Sequence, residues 1–322
     1  MKKYMPSIFF VSLFLMSLSI SADILYEPVT PLPKFYSGNS NQISLGKMLF
    51  IDKRLSGEGG VSCASCHHLD NGGVDGLPKS VGSKGQLGTM NVLSVFNVGF
   101  QFRYFWDGRA ETLEDQIDGP VLAEHEMASS WPHIINVLKN DEVYLTLFNE
   151  LFNDGITINN VKQVIAEFER SLITPNSRFD QFLNGKEDAI NVIEKQGYEK
   201  FKSYGCSSCH QGRLLGGNMY EKLGVVVPYY DSVRETNEND YGRFIQTGDL
   251  EDKFEFKVPS LRNVELTGPY FHDGSISKLG EAVRIMALHQ TGRELSGIDI
   301  QSIVAFLKTL TGDIPSMEAV AK

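Results

Sequence analysis

The chain has 322 residues, 42% of them hydrophobic and 22% charged, enough apolar content to build a globular core. Its 40 acidic against 30 basic side chains leave a formal charge of −10, which argues against nucleic acid as a partner, because phosphate recognition needs a basic face. An acidic surface suits a basic protein partner without saying where one docks.

Lys2 and Lys3 precede an apolar run from Ile8 to Ile20, and Ser19-Ile20-Ser21-Ala22 supplies small residues for cleavage. This is the three-part pattern of a secretory signal peptide, expected over residues 1–21. The run is shorter than the roughly 20 residues of a spanning helix, and no later segment reads as one. The mature chain is therefore expected to be exported, without a membrane span, with a charge of −12 once the two lysines are lost. Its length is a soft prior for two domains.

The apolar spacing of "ISLGKMLFIDKRLSGEGG" predicts a helix with one face inward, in which Gly46 permits close approach to another helix. It leads into "GVSCASCHH", where Cys63, Cys66 and His67 form a CxxCH motif. That is the attachment site of c-type haem: two thioethers to the porphyrin and one axial ligand to iron. "TINNVKQVIAEFERSL" then predicts a helix with Thr157 as N-cap and Val161, Val164, Ile165, Phe168 and Leu172 on one stripe. The Pro, Asn and Gly of "TPNSRFDQFLNGKED" predict a domain boundary near residue 180.

Beyond it the plan repeats. "NVIEKQGYEKFKSYG" again places an aromatic residue after a glycine and leads to "GCSSCH", with Cys206, Cys209 and His210. "SGIDIQSIVAFLKTLTG" predicts a closing helix, started by Ser296 and Asp299 as a capping-box variant and lined by Ile300, Ile303, Val304 and Leu307. Export favours disulfides, and paired cysteines also occur in zinc ribbons, but ribbon pairs lie about 15–20 residues apart. Two covalent haems c use all four cysteines. The expected fold is mainly α: two cytochrome c-like haem domains, residues 22–180 and 181–322, with long Gly/Pro-rich loops and little strand.

The runs "GVSCASCHHLDNGGVDG", "FWDGRAETLEDQIDGP", "EHEM", "GCSSCHQG", "VPSLRNVELTGPYFHDGS" and "LGEAVRIMALHQ" together resemble the bacterial di-haem cytochrome c peroxidases over nearly the whole mature length. The resemblance implies a periplasmic enzyme that reduces hydrogen peroxide to water with electrons from a small redox protein, a cytochrome c or a cupredoxin. The C-terminal haem would accept electrons and the N-terminal haem would meet peroxide. It also implies that the last helix returns to the N-terminal domain, and it admits a homodimer.

Carried onto this chain, the resemblance implies that Met286 is the second ligand of the His210 haem. A thioether raises the reduction potential relative to a second nitrogen ligand. Glu126 matches the distal glutamate, Gln116 the distal glutamine, and Trp106 the tryptophan between the haems. His272 lies near the haem–haem interface, and Asp107, Arg109, Arg243 and Arg262 suit carboxylate or propionate contacts. Asn91, Thr267 and Pro269 match the ligands of one calcium ion, all neutral oxygens of the kind a hard cation accepts. The chain departs from the pattern at Ser83, where the family commonly carries a histidine that caps the first iron. With serine there, the distal face of the His67 haem is expected to be open without reductive activation. Two alternatives stand beside the peroxidase. A related di-haem oxidase of the MauG type acts on a partner protein, and carries tyrosine at the position of Met286. A non-catalytic electron-transfer cytochrome would have both irons fully ligated.

Overall fold

The computed structural model describes residues 27–230 and 236–315, so the signal peptide expected over residues 1–21 lies outside the described residues. The first helix, α1 (Ser40–Ile51), starts where the Asn39 side chain accepts from the Asn41 and Gln42 backbone N–H groups, which otherwise lack partners at a helix start. Single-turn α2 (Cys63–Cys66) carries the first cysteine pair. The short α3 (Leu113–Gln116) and α4 (Asp118–Leu122) follow, then α5 (Trp131–Lys139) and α6 (Glu142–Leu151). Thr157 caps α7 (Ile158–Ser171) as its sequence predicts, accepting from the Asn160 N–H. In the second half come α8 (Arg178–Leu183), α9 (Val192–Ser203), α10 (Phe244–Thr247), α11 (Leu279–Thr291) and α12 (Gly297–Lys308), the last capped by Ser296. Strand is as sparse as expected: β1 (Tyr220–Lys222) pairs antiparallel with β2 (Glu255–Lys257).

Two helix crossings organise the core, and they are built alike. A Cβ on Gly46 of α1 would lie 1.9 Å from the Val164 carbonyl oxygen of α7, and one on Gly197 of α9 would lie 1.9 Å from the Ser302 carbonyl oxygen of α12. One turn further on, Phe50 meets Phe168 at 5.1 Å between ring centroids, and Phe201 meets Phe306 at 5.2 Å. Each crossing seats one apolar cluster, the first around Leu45, Leu49, Val161 and Val164, the second around Phe179, Tyr198, Ile303 and Leu307. Alanine is ordinarily preferred to glycine inside a helix by about 1 kcal/mol. At these two positions overpacking, at about 1–3 kcal/mol, outweighs that gain. Gly46→Ala and Gly197→Ala are each expected to lower the denaturation midpoint of the haem-loaded protein, whereas Gly60→Ala, with nothing within 4 Å of its Cβ, leaves it unchanged. Equal midpoints for all three variants would refute the close-packing role.

The stretch around residue 180, where the sequence predicts a domain boundary, is buried: Phe179 and Asp180 are both inside, and Asp180 holds the buried Arg262 at 2.8 Å. Its Pro, Asn and Ser residues end one helix and cap the next, with Ser177 and Asp180 forming a capping box. One expectation needs correcting: the last helix does not return to the first half. α12 packs on α9 and α11; only the segment after it comes back, where Ile314 packs against the first cluster. In exchange, the N-terminal segment crosses to the second half: Val29 joins the second cluster and bridges to Gly212, and Arg262 donates to the Thr30 carbonyl.

A second internal repeat lies between the helix crossings. Residues 91–120 and 257–286 align without a gap, "NVLSVFNV" with "KVPSLRNV" and "YFWDG" with "YFHDG". Equivalent residues have equivalent backbones: Asn97 and Asn263 take φ of 61° and 60°, and Phe105 and Phe271 take 67° and 69°. Both asparagine side chains donate to the buried Thr174 hydroxyl, at 2.8 and 3.0 Å. The repeats also bond across to each other. Asn91 N–H donates to the His272 carbonyl at 2.7 Å and Lys257 N–H to the Trp106 carbonyl at 2.8 Å.

Candidate active site

Two cavities, of about 370 and 540 Å³, lie one in each half. The first is walled by Cys63, Cys66 and His67, the second by Cys206, Cys209 and His210. They share Asn91, Val92, Leu93, Ser94, Gln101 and Trp106, so this strip and the indole form the partition between them. None of the four cysteines is in a disulfide. Burial pushes the Cys63 thiol up to about 12 and Cys206 to about 11, which keeps both neutral.

The two histidines are set identically. His67 Nδ1 lies 3.1 Å from the Gly73 carbonyl and His210 Nδ1 2.9 Å from the Leu215 carbonyl. A carbonyl only accepts, so each Nδ1 carries the proton and each Nε2 keeps its lone pair, the arrangement that prepares imidazole as a metal ligand. Burial lowers the pKa of both rings and so favours the neutral form. Paired thiols, an oriented imidazole and an adjoining cavity are the donor set of a covalently held haem. The residues present fit one in each cavity.

The cavities differ in what lines them together with those histidines. Met286, on α11, lines the second cavity with His210. Its partner in the internal repeat is Pro120, which lines the first cavity and has no side-chain donor atom. Glu126 and Gln116 line the first cavity as well. Burial raises the Glu126 pKa above the ordinary glutamate range, opposed by the charges of His125 and Arg109; His125 Nε2 stands 3.8 Å from its carboxylate. Glu114 is instead held by Arg170 at 2.8 Å, and Glu124 is exposed.

The Ser83 loop closes on itself. Val81 bridges Leu87, Gly82 N–H donates to the Gln86 carbonyl and Gly88 N–H to the Ser80 carbonyl, both at 2.8 Å. It also docks on the Glu126 turn: Ser83 N–H donates to the Glu126 carbonyl at 2.6 Å, and a Cβ on Gly82 would lie 2.1 Å from the His125 carbonyl oxygen. Ser83 itself is buried, its hydroxyl has no partner among the described residues, and it does not line the cavity. The loop therefore supports the Glu126 turn, and the Ser83 side chain stays outside the cavity lining.

Trp106 donates from Nε1 to the Asn91 carbonyl at 2.8 Å, and its ring meets His272 at 6.3 Å and Phe256 at 6.5 Å. His272, its repeat partner, is buried against Asp240 with Nε2 2.6 Å from the carboxylate. Asn91, Thr267 and Pro269 all line the second cavity, and Asn91 Nδ2 donates to the Leu77 carbonyl, which leaves its Oδ1 as the acceptor. Arg109 stacks on Phe105 and pairs with Asp107, and Arg243 pairs with Glu255 and Asp252. His68 and His133 bond to backbone carbonyls.

Two wall residues escaped the sequence reading. Glu169 of α7 is buried in the first cavity, with Oε2 unpartnered among the described residues and its pKa pushed up to about 8 by burial. Lys257 is buried in the wall of the second. Helical periodicity reads Glu169 as one more polar position beside Arg170; aligning the two repeats would have singled out Lys257 opposite Asn91.

The family model for the di-haem cytochrome c peroxidases matches residues 40–188. A cytochrome c551 peroxidase of Nitrosomonas europaea is 43% identical over 293 residues, covering 91% of this chain and 86% of that protein. A cytochrome c peroxidase of Escherichia coli is 45% identical over 287 residues, covering 89% of this chain and 61% of that longer protein. Among solved structures, a MauG-like protein associated with microbial copper homeostasis superimposes with a TM-score of 0.77 at 26% identity, over 90% of this chain and 96% of that one.

Proposed function

The chain belongs to the di-haem cytochrome c peroxidase family and is a peroxidase with two haems c, and from that premise we propose how its residues divide the work. The observation that carries the proposal is the asymmetry of two otherwise matched cavities: Met286 in one, Pro120 with Glu126 in the other. Bound haem supplies the iron chemistry, H₂O₂ + 2 e⁻ + 2 H⁺ giving two waters.

In the second cavity, His210 and Met286 would hold the haem iron, their imidazole and thioether giving it a potential suited to receiving electrons. Trp106, in the partition, couples this cavity to the first. There His67 would hold the iron, and Pro120, which lines the cavity without a side-chain donor atom, leaves room for peroxide. The Glu126 carboxylate takes the proton from one peroxide oxygen and delivers it to the other, the leaving one. Burial raises its pKa, which makes the carboxylate a stronger proton acceptor than an exposed glutamate. Gln116 orients the bound peroxide with its amide. The electron donor is a small redox protein, a cytochrome c or a cupredoxin, and the reaction takes place in the periplasm after export. Each haem would define a cytochrome c-like domain, and Asn91, Thr267 and Pro269 would hold a calcium ion at the seam between them.

The methionine at position 286, where a MauG-type oxidase carries tyrosine, favours peroxidase chemistry over oxidation of a partner protein. Pro120 speaks against a purely electron-transferring cytochrome. The test is low-temperature EPR of the fully oxidised, haem-loaded protein, followed by peroxide turnover with a donor that does not pre-reduce the haems. A high-spin ferric signal with turnover from the first seconds is expected. Two low-spin haems, with activity only after one-electron reduction, would mean that another residue caps the first iron.

A further inference from the structure

Lys257 ends β2 with 1% of its surface exposed. Its ammonium donates to one neutral group, the Gln101 side-chain oxygen at 2.5 Å, and no carboxylate among the described residues pairs with it. Burial pulls its pKa down to about 8 with no anion offsetting the effect. Buried charges are ordinarily paired, and the other buried cation in the core, Arg262, has Asp180.

The fold does not require the ammonium. The structural task at this position is the backbone bond to the Trp106 carbonyl, and in the other repeat Asn91 performs the same task on His272 with no charge. What differs is the surroundings: Lys257 lines the cavity of His210 and not that of His67, and Gln101 lines both. The partition thus holds a fixed positive charge whose counter-ion the protein does not supply. A c-type haem brings two carboxylates of its own, the propionates, which the thioether bonds leave free.

We propose that the Lys257 ammonium is the counter-ion of a propionate of the His210 haem, pinning that carboxylate at the partition beside Trp106. This rests on the assignment of a haem to the second cavity. A cation held there favours the reduced iron, because reduction removes one positive charge nearby. It therefore acts with Met286 to make this haem the electron acceptor. Through its own N–H, the same residue fixes the Trp106 backbone, so one position sets both the charge and the contact at the junction.

The test uses the haem-loaded full chain as wild type and as Lys257→Met and Gln101→Leu. Haem is counted by the pyridine haemochrome, midpoint potentials are taken by optical redox titration, and the propionate bending band is followed by resonance Raman. Lys257→Met is expected to retain two haems, shift the propionate band, and lower the potential of the Met-ligated haem, weakening its electron acceptance roughly tenfold or more. The other haem should be unmoved. Gln101→Leu keeps the cation and should leave both potentials near the wild-type values. Two haems with unshifted potentials and band in Lys257→Met overturn the proposal, as does a shift confined to the His67 haem. A change in axial ligation in that variant would make Lys257 an iron ligand and overturn it too. Fewer than two haems in the wild type would overturn both this proposal and the reading on which it rests.

Discussion

Glu126→Gln is expected to lower kcat for peroxide reduction by roughly 10²–10⁴-fold, about 3–5 kcal/mol of transition-state stabilisation, while both haems stay bound. The amide fills the same volume and leaves the backbone bond from Ser83 to the Glu126 carbonyl intact, so the fold has no reason to change. What is lost is the ability to take a proton from one peroxide oxygen and give it to the other. The pH profile supplies the second readout. Burial raises the Glu126 pKa, and the carboxylate must be ionised to accept the first proton. In the wild type, kcat/KM should therefore fall as pH drops through a value above the ordinary glutamate pKa of about 4.3. In the amide variant that acid limb should vanish along with most of the rate. Retention of both the rate and the limb would move the proton-transfer role elsewhere in the cavity, with Glu169 the next carboxyl to test.

The reason Glu126 stands ready also shows how far the sequence could be read. Local chemistry was legible: two CxxCH motifs use every cysteine and each lines one of the two cavities, and Thr157 and Ser296 cap the helices their sequences predict. Gly46 was legible as a close-approach residue because a short apolar stripe surrounds it. Long-range exchange was not. Nothing in the pattern of residues 27–32 says that this segment packs on the second half while Ile314 packs on the first. Residues around position 180 read as a boundary because Pro, Asn and Gly mark chain reversals whether or not the reversal is buried. The Asp180–Arg262 pair that buries it joins residues far apart in the chain.

Ser83 shows the same limit inside the site. The missing histidine could be read directly, but not what the loop does in its absence. Its bond to the Glu126 carbonyl and the contact of Gly82 with His125 make it a support for the turn that carries Glu126. The Pro120–Met286 equivalence was likewise present in the sequence, yet it carries meaning only once the two segments are seen to line equivalent cavities. From two matched halves the chain makes unlike sites, by exchanging single residues at equivalent positions: Pro120 for Met286, Trp106 for His272, Asn91 for Lys257.

Met286→His tests the electron-accepting half of that asymmetry. Replacing a thioether with a second imidazole gives the ferric iron a stronger donor, so the haem of His210 should remain low-spin while its midpoint potential falls. The expected fall is on the order of 0.2 V, a fraction of the roughly 0.8 V that axial ligation spans. At ~59 mV per decade for one electron, that is about three decades in the equilibrium for accepting an electron from the donor. Turnover with the protein donor should collapse accordingly. The haem of His67 should keep its own spectrum, because Met286 lines only the other cavity. An artificial reductant of sufficiently low potential should restore part of the rate, since Glu126 and His67 are untouched. An unchanged potential in Met286→His would show that the sulfur never reaches the iron. Failure of the strong reductant to rescue turnover would show that Met286 also matters beyond setting the potential, through the packing of α11 against Phe271 and Tyr229.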